Sequence, residues 1–77
     1  MEPFLVTLSP SKTEEERSSH DGQEFIYVLE GRVEIRLGEE IHYLEPGDTI
    51  YYDSTVPHLV KCRGDEDTKI VAVLYTE

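Results

Sequence analysis

The sequence predicts an all-β fold, either an antiparallel sandwich or a barrel. Short runs rich in β-branched and aromatic residues recur along the chain, and turn residues separate them every few positions. No stretch shows the apolar period of a helix. The 77 residues suffice for one domain, which we expect to span residues 1–77. Seven strands are predicted, over residues 4–8, 24–29, 32–37, 40–44, 49–52, 57–63 and 69–76.

The first half of the chain supplies three of these strands. Residues 4–8 (FLVTL) form an apolar run, whereas the polar residues 9–19 carry a proline and predict a solvated loop. Residues 24–29 (EFIYVL) combine aromatic and β-branched side chains and end next to a turn at Gly31. Residues 32–37 (RVEIRL) alternate strictly between charged and apolar types, which is typical of a strand with one buried face.

The second half of the chain supplies the other four strands. Residues 40–44 follow a Gly-Glu turn, and the Glu-Pro-Gly-Asp sequence at 45–48 is a strong turn signal. Residues 49–52, 57–63 and 69–76 complete the set, with a Gly-Asp-Glu-Asp loop before the last strand. This succession of short strands and turns favours antiparallel pairing.

Charge and composition exclude several classes of partner. The net charge of −10 argues against nucleic-acid or anionic-membrane binding, since either requires a basic patch. The early apolar run at residues 4–8 is too short for a signal sequence or a membrane span. Cys62 is the single cysteine, so no internal disulfide forms, which fits a reducing cytoplasm. We therefore expect a cytoplasmic protein.

The small size of the chain favours self-association. A domain this short buries only about 60% of the surface that its unfolded chain exposes. Such a domain is marginally stable alone, and oligomerisation is one common remedy. We expect a homodimer formed through edge strands and the apolar residues 70–75 of the last strand.

Two histidines and one glutamate form a candidate metal site. His20 lies four residues before Glu24, and His58 follows a later turn after Pro57. Two imidazoles and a carboxylate suit Fe, Zn, Mn, Ni or Cu as divalent ions and leave coordination positions open. The alternatives are that the histidines are structural, or that Glu24 pairs with Arg17 or Lys61 instead.

Strand alternation identifies the side chains that would share an interior with these ligands. Ile26 and Val28 share the face of Glu24, and Val60 and Cys62 share the face of His58. These neighbours are apolar, as expected for the lining of a pocket inside a barrel.

Several other polar side chains are assigned to the pocket or to the surface. Cys62 is expected to be a small buried residue of the pocket, or a fourth ligand if it lies near the metal. Tyr27 or Tyr52 could place a hydroxyl in the same pocket. His42 is expected at the surface.

The motifs resemble those of the cupin family. The sequence HDGQE at residues 20–24, followed by Gly31, resembles the first cupin motif, and Gly-Asp at 47–48, Asp53 and Pro-His at 57–58 resemble the second. The resemblance covers residues 4–75 and implies a double-stranded β-helix, or jelly-roll barrel. The family usually has another histidine where this chain has Ser18, which implies a three-ligand site with Ser18 at its margin. That set is similar to the iron triad of hydroxypropylphosphonic acid epoxidases.

Two longer stretches suggest a functional class. Residues 22–31 and 51–58 resemble the cupin half of Xre-type transcriptional regulators, in which a separate domain reads DNA. This resemblance implies a ligand-sensing module for a small molecule. The alternative is a metal-dependent oxygenase, isomerase or lyase acting on a small organic acid or sugar, with Tyr27 or Tyr52 as acid or base. A purely structural dimerisation module is a third possibility.

Overall fold

The computed structural model describes residues 2–10 and 17–76, and in this part of the chain it confirms the all-β prediction. It contains seven strands and no helix there. No helix that is long and apolar enough to cross a membrane occurs in these residues. The strands are β1 (Glu2–Leu8), β2 (Gln23–Glu30), β3 (Arg32–Leu37), β4 (Glu40–Leu44), β5 (Thr49–Asp53), β6 (His58–Arg63) and β7 (Thr68–Tyr75).

The strands form two antiparallel sheets that together make a jelly roll. One sheet has the order β1-β7-β2-β5 and the other the order β4-β3-β6. Only β3 and β4 are both consecutive in sequence and paired, so most strand neighbours are distant along the chain. Glu24 on β2 lies opposite Tyr52 on β5, and Leu37 on β3 lies opposite His58 on β6. This topology brings residues from widely separated motifs to the same end of the molecule.

Alternating side chains of both sheets form the core between them. Five aliphatic side chains are at most 3% exposed and pack with buried Tyr52: Ile26, Val28, Val33, Ile35 and Ile70. Glu24 continues the inner face that Ile26 and Val28 occupy on β2, and it is itself buried. A carboxylate on that face is costly unless it is hydrogen-bonded or paired with a cation.

The last residues of the polar segment before β2 form defined backbone contacts. Ser18 forms an isolated antiparallel bridge with His58, through hydrogen bonds of 2.8 and 2.9 Å between their backbone groups. The Arg17 guanidinium also donates to the Gly38 carbonyl. These contacts hold Ser18 against β6 and Arg17 against the turn between β3 and β4, whereas residues 11–16 of the predicted loop lie outside the described residues.

Candidate metal centre

His20, Glu24 and His58 converge at one end of the two-sheet structure. One possible ligand atom from each lies within 4.8 Å of the other two. The Glu24 Oε1 atom is 2.8 Å from His20 Nε2 and 3.3 Å from His58 Nε2. The side chains of Glu24 and His58 are 10% and 6% exposed, whereas that of His20 is 41% exposed. The cluster is therefore buried on two sides and reachable from solvent on the side of His20.

Each ligand candidate reaches the cluster by a different route. Glu24 projects inward from β2, and His58 does so from the first position of β6. His20 belongs to no strand, but its backbone N–H donates to the Ser54 carbonyl at 3.0 Å. In turn, the backbone N–H of Ser54 donates to the Gly22 carbonyl at 2.9 Å. The β5–β6 turn thus positions the segment that carries the first histidine.

Backbone carbonyls orient both imidazoles in the same way. His58 Nδ1 lies 2.8 Å from the Val56 carbonyl oxygen, and His20 Nδ1 lies 3.1 Å from the Asp21 carbonyl oxygen. A carbonyl oxygen only accepts, so each Nδ1 must donate. In the neutral imidazole the lone pair is then on Nε2, which is the arrangement found in metal-ligating histidines.

Glu24 Oε1 consequently faces two imidazole nitrogens that, like itself, are hydrogen-bond acceptors. Its Oε1 carries lone pairs, and both neutral Nε2 atoms present lone pairs towards it. This arrangement is favourable only with positive charge between the groups, supplied either by protons on the imidazoles or by a metal ion.

The spacing of these atoms fits a metal ion. At metal–ligand distances of about 2.1 Å, adjacent ligand atoms are about 3.0 Å apart in octahedral geometry and about 3.4 Å apart in tetrahedral geometry. The two separations from Glu24 Oε1, 2.8 and 3.3 Å, fall close to this range, and the ligand atoms of the two histidines lie within 4.8 Å of each other. The donor set and its spacing therefore suit a divalent cation.

Two hydroxyl groups complete the surroundings of Glu24. Tyr52 donates to Oε2 at 2.7 Å, and Ser54 donates to Oε1 at 3.3 Å. Burial, followed by the hydrogen bond to Glu24 and its negative charge, raises the pKa of Tyr52 far above its usual value of 10.0. The phenol therefore stays protonated and donates a hydrogen bond to Glu24. Sequence reasoning did not identify Ser54, because a serine in a polar turn carries no signal of burial.

The apolar residues expected beside the ligands lie on inner faces. Ile26, Val28 and Tyr52 are buried in the core, and Val60 is partly buried against it. Tyr27 occupies the opposite face of β2 and is 38% exposed. Of the two tyrosines expected as alternatives, Tyr52 therefore places its hydroxyl in the interior and Tyr27 does not.

The remaining candidates lie at the margin of the cluster or away from it. Ser18 is exposed and contacts His58 through its backbone alone. Cys62 is buried, but it lies four residues beyond His58 on β6, about 13 Å along a strand. Its thiol donates to the Glu66 carbonyl at 2.8 Å, so the structure does not place it as a fourth ligand. His42 is 41% exposed and contacts Glu40, as expected for a surface residue.

A surface depression lies beside the histidine-bearing segment. It has a volume of about 380 Å³, and its lining includes Asp21, Gln23, Asp53 and Thr55. The Asp53 carboxylate accepts hydrogen bonds from the Thr55 N–H and hydroxyl, which lower the pKa of Asp53. The depression is polar and negatively charged, unlike the apolar interior that the sequence suggested as the ligand pocket.

Comparison with known proteins identifies a family. The model of the cupin domain matches residues 4–74. An uncharacterized protein of Methanocaldococcus jannaschii is 34% identical over 56 residues, which cover 73% of this chain and 45% of that protein.

Solved structures give the same fold. Hydroxypropylphosphonic acid epoxidase from S. wedmorenis in complex with fosfomycin is 26% identical, with a TM-score of 0.80 over 95% of this chain and 42% of the epoxidase chain. The structure of FeII HppE in complex with substrate is 27% identical, with a TM-score of 0.81 over 95% of this chain and 44% of that one. A Streptococcus pyogenes protein of unknown function, 23% identical, has a TM-score of 0.83 over 97% of this chain and 63% of its own, and shows the fold alone. The chain thus spans less than half of the epoxidase structures and of the curated relative.

Proposed function

The chain belongs to the cupin family, and we propose that it is a small-molecule-binding module in which His20, Glu24 and His58 hold one divalent metal ion. The observation that carries this proposal is the convergence of two imidazole Nε2 atoms on Glu24 Oε1. Both Nδ1 atoms face carbonyls, which leaves the lone pair of each Nε2 free. The two imidazoles and the carboxylate can therefore all act as ligands of one cation. When bound, such an ion supplies Lewis acidity and positions for water or an exogenous ligand.

Metal analysis tests this site directly. The protein is purified without added metal and then equilibrated separately with Fe(II), Zn(II), Mn(II), Ni(II) and Cu(II) before the bound metal is counted. We expect about one equivalent of a preferred ion for the wild type and for His42→Ala, and a large loss for His58→Ala. His42→Ala is the matched control, because this exposed histidine contacts Glu40 on β4 instead of the cluster. Equal metal content in all three proteins would contradict the proposal.

Among possible roles, ligand sensing is favoured over catalysis. Tyr52, the interior tyrosine and a candidate acid or base, already donates a hydrogen bond to Glu24. The acidic depression near Asp21 and Asp53 further favours neutral or cationic ligands that carry hydrogen-bond donors. The resemblance to regulator cupins supports a cytoplasmic sensor whose docking to a partner changes when the ligand binds.

Sensing can be tested by ligand-dependent stability. The metal-loaded protein is screened by thermal unfolding against neutral polyols, amines, carboxylic acids and phosphonates. A stabilising hit from the first two classes that is weakened in Asp53→Asn supports this site. Stabilisation by anionic compounds alone would contradict the inferred ligand class.

The second candidate function is metal-dependent catalysis. The similarity to the epoxidase structures, one of them described as FeII HppE in complex with substrate, favours it. Oxygen uptake by iron-loaded protein, measured over a panel of small organic acids and sugars, distinguishes the two roles. Uptake that depends on one compound and disappears in His58→Ala would favour the enzyme, and a flat response would favour the sensor.

We also propose that the module forms a homodimer through the outer face of the sheet β1-β7-β2-β5. Two complete cross-strand rows of this face carry no charge, although the protein has a net charge of −10. The rows are Leu5–Val71–Tyr27–Thr49 and Pro3–Val73–Phe25–Tyr51. An outer face of an antiparallel sheet is usually polar, so an apolar one favours burial against a partner.

The dimer proposal is tested by mass in solution. We expect a dimeric mass at micromolar concentration for the wild type and a monomeric mass for Leu5→Lys. Leu5 is 72% exposed, so the substitution leaves the interior of the monomer intact. Ile41→Lys, on the other sheet and 49% exposed, is the control and should remain dimeric. A monomeric wild type would refute the proposal, and a monomer caused only by Ile41→Lys would assign the interface to the other sheet.

A further inference from the structure

The two oxygens of the Glu24 carboxylate have different partners. Oε1 faces both imidazoles, at 2.8 Å from His20 Nε2 and 3.3 Å from His58 Nε2. Oε2 instead accepts a hydrogen bond of 2.7 Å from the Tyr52 hydroxyl. The carboxylate is therefore oriented with one oxygen towards the histidines and the other towards a phenol.

The fold fixes this hydrogen bond. Glu24 and Tyr52 are directly opposite each other in the β2–β5 pairing, and both are buried. The Tyr52 ring also packs against the His58 ring, with 5.1 Å between centroids and an angle of 54°. Because strand register and ring packing both hold the phenol, its hydroxyl stays beside Oε2.

We infer that Tyr52 is a positioning residue that restricts Glu24 to binding a metal through Oε1 alone. This inference rests on the proposed metal site and adds to it the manner in which the carboxylate binds. A metal would have to displace the Tyr52 hydroxyl to gain Oε2 as a second ligand from the same carboxylate. By holding Oε2, Tyr52 keeps one more coordination position free for water or an exogenous ligand.

The test compares Tyr52→Phe with Tyr51→Phe. Phenylalanine keeps the ring that packs against His58 and removes only the hydroxyl. Tyr51 is the neighbouring residue on β5, is 61% exposed, and contacts Gln23 on the outer face, so its variant controls for the loss of a phenol. Cobalt(II) serves as the probe, because its visible absorption becomes weaker when its coordination number increases.

We expect Tyr52→Phe to bind cobalt about 10- to 100-fold more weakly than the wild type, as is typical when a group that orients a ligand is removed. Its cobalt band should also be weaker per bound ion, because Oε2 becomes free to coordinate. Tyr51→Phe should match the wild type in both respects. Infrared difference spectra of the wild type, with and without cobalt, give a readout that does not depend on any variant. They should show the wide separation of carboxylate stretches that accompanies single-oxygen binding.

The outcomes separate this inference from the proposed function. A wild type that binds no cobalt overturns both. A wild type that binds cobalt, with Tyr52→Phe unchanged in affinity and spectrum, overturns the role of Tyr52 and leaves the metal site standing. Weaker binding with an unchanged band, or an infrared signature of two-oxygen binding in the wild type, also overturns the single-oxygen assignment.

Discussion

Replacement of Gly22 by alanine tests how the fold holds the histidine-bearing segment beside β2. Gly22 lies between His20 and Glu24 and has a φ of 105°, a region that side chains rarely adopt. A Cβ atom added there would lie 2.5 Å from the Tyr75 carbonyl oxygen and 2.7 Å from the Thr76 Cγ2 atom. The first contact is with backbone, so rotation of a side chain cannot relieve it.

The expected cost has two parts. An unfavourable φ costs about 1–3 kcal/mol. An ordinary C···O contact is at least about 3.3 Å, so the end of β7 and the segment at Gly22 must separate by about 0.8 Å. Overpacking of this kind typically adds about 1–3 kcal/mol. The domain as a whole is expected to have about 4–12 kcal/mol of stability, so Gly22→Ala should remove a large share of it.

Gly47→Ala is the matched control. Gly47 has a φ of 92°, but nothing lies within 4 Å of a Cβ added to it. Its substitution should therefore carry the conformational cost alone. Urea unfolding of the wild type and both variants, monitored by circular dichroism, measures the difference. We expect Gly22→Ala to be less stable than Gly47→Ala by about 1–3 kcal/mol. Equal losses in the two variants would refute the reasoning about close backbone contact.

Three further predictions concern metal, acid and a buried hydroxyl. Metal at 100 times its Kd should stabilise the wild type by about 2.7 kcal/mol, or about 11–22 °C in Tm, and the effect should be lost in Glu24→Gln. Hydrogen bonds from Thr55 lower the pKa of Asp53, so its contribution to stability is present above its ordinary pKa of 3.8 and disappears as the pH falls through the lowered value. The stability difference between wild type and Asp53→Asn should accordingly shrink below about pH 4 in thermal unfolding. Thr68 is fully buried and donates to the Arg32 carbonyl at 2.8 Å. Thr68→Val should therefore cost about 1–3 kcal/mol in urea unfolding, and a neutral result would show that this carbonyl finds another donor.

Strand alternation predicted which side chains face the interior. Glu24 is followed by Ile26 and Val28 at intervals of two, and all three are buried. The same count places Tyr27 on the outer face, although the sequence analysis left Tyr27 and Tyr52 as alternatives. The regular period of a strand makes this part of the site predictable from the residues alone.

The end of the two-sheet structure at which an inward-facing residue lies was not predictable in the same way. His58 and Cys62 share a face of β6, yet they lie at opposite ends of the strand. The pairing of Leu37 with His58 and of Val33 with Cys62 decides which residues of the neighbouring strand lie at each end, and it is a property of register between distant strands. The distance between His58 and Cys62, about 13 Å for four residues of one strand, could already be counted from the sequence, and it argues against Cys62 as a fourth ligand.

The groups that orient the ligands were also hidden from sequence reasoning. His58 and His20 each donate from Nδ1 to a backbone carbonyl, and every residue type carries such a carbonyl. The Ser18 bridge to His58 likewise uses backbone atoms. Local sequence records the identity of a ligand side chain, but only the folded backbone determines which of its atoms is free to bind.

These contacts make Glu24 a point at which the stability of the fold and the binding of a cation are coupled. Its carboxylate is contacted by His20, Tyr52, Ser54 and His58, which belong to the segment before β2, to β5, to the turn after it and to β6. A metal ion bound by Glu24 Oε1 and both imidazoles would connect the same segments. Since the unfolded chain does not hold these atoms together, the free energy of metal binding adds to that of folding. Chelation should therefore loosen the packing of the segment before β2 against β6 before it affects the core around Ile35.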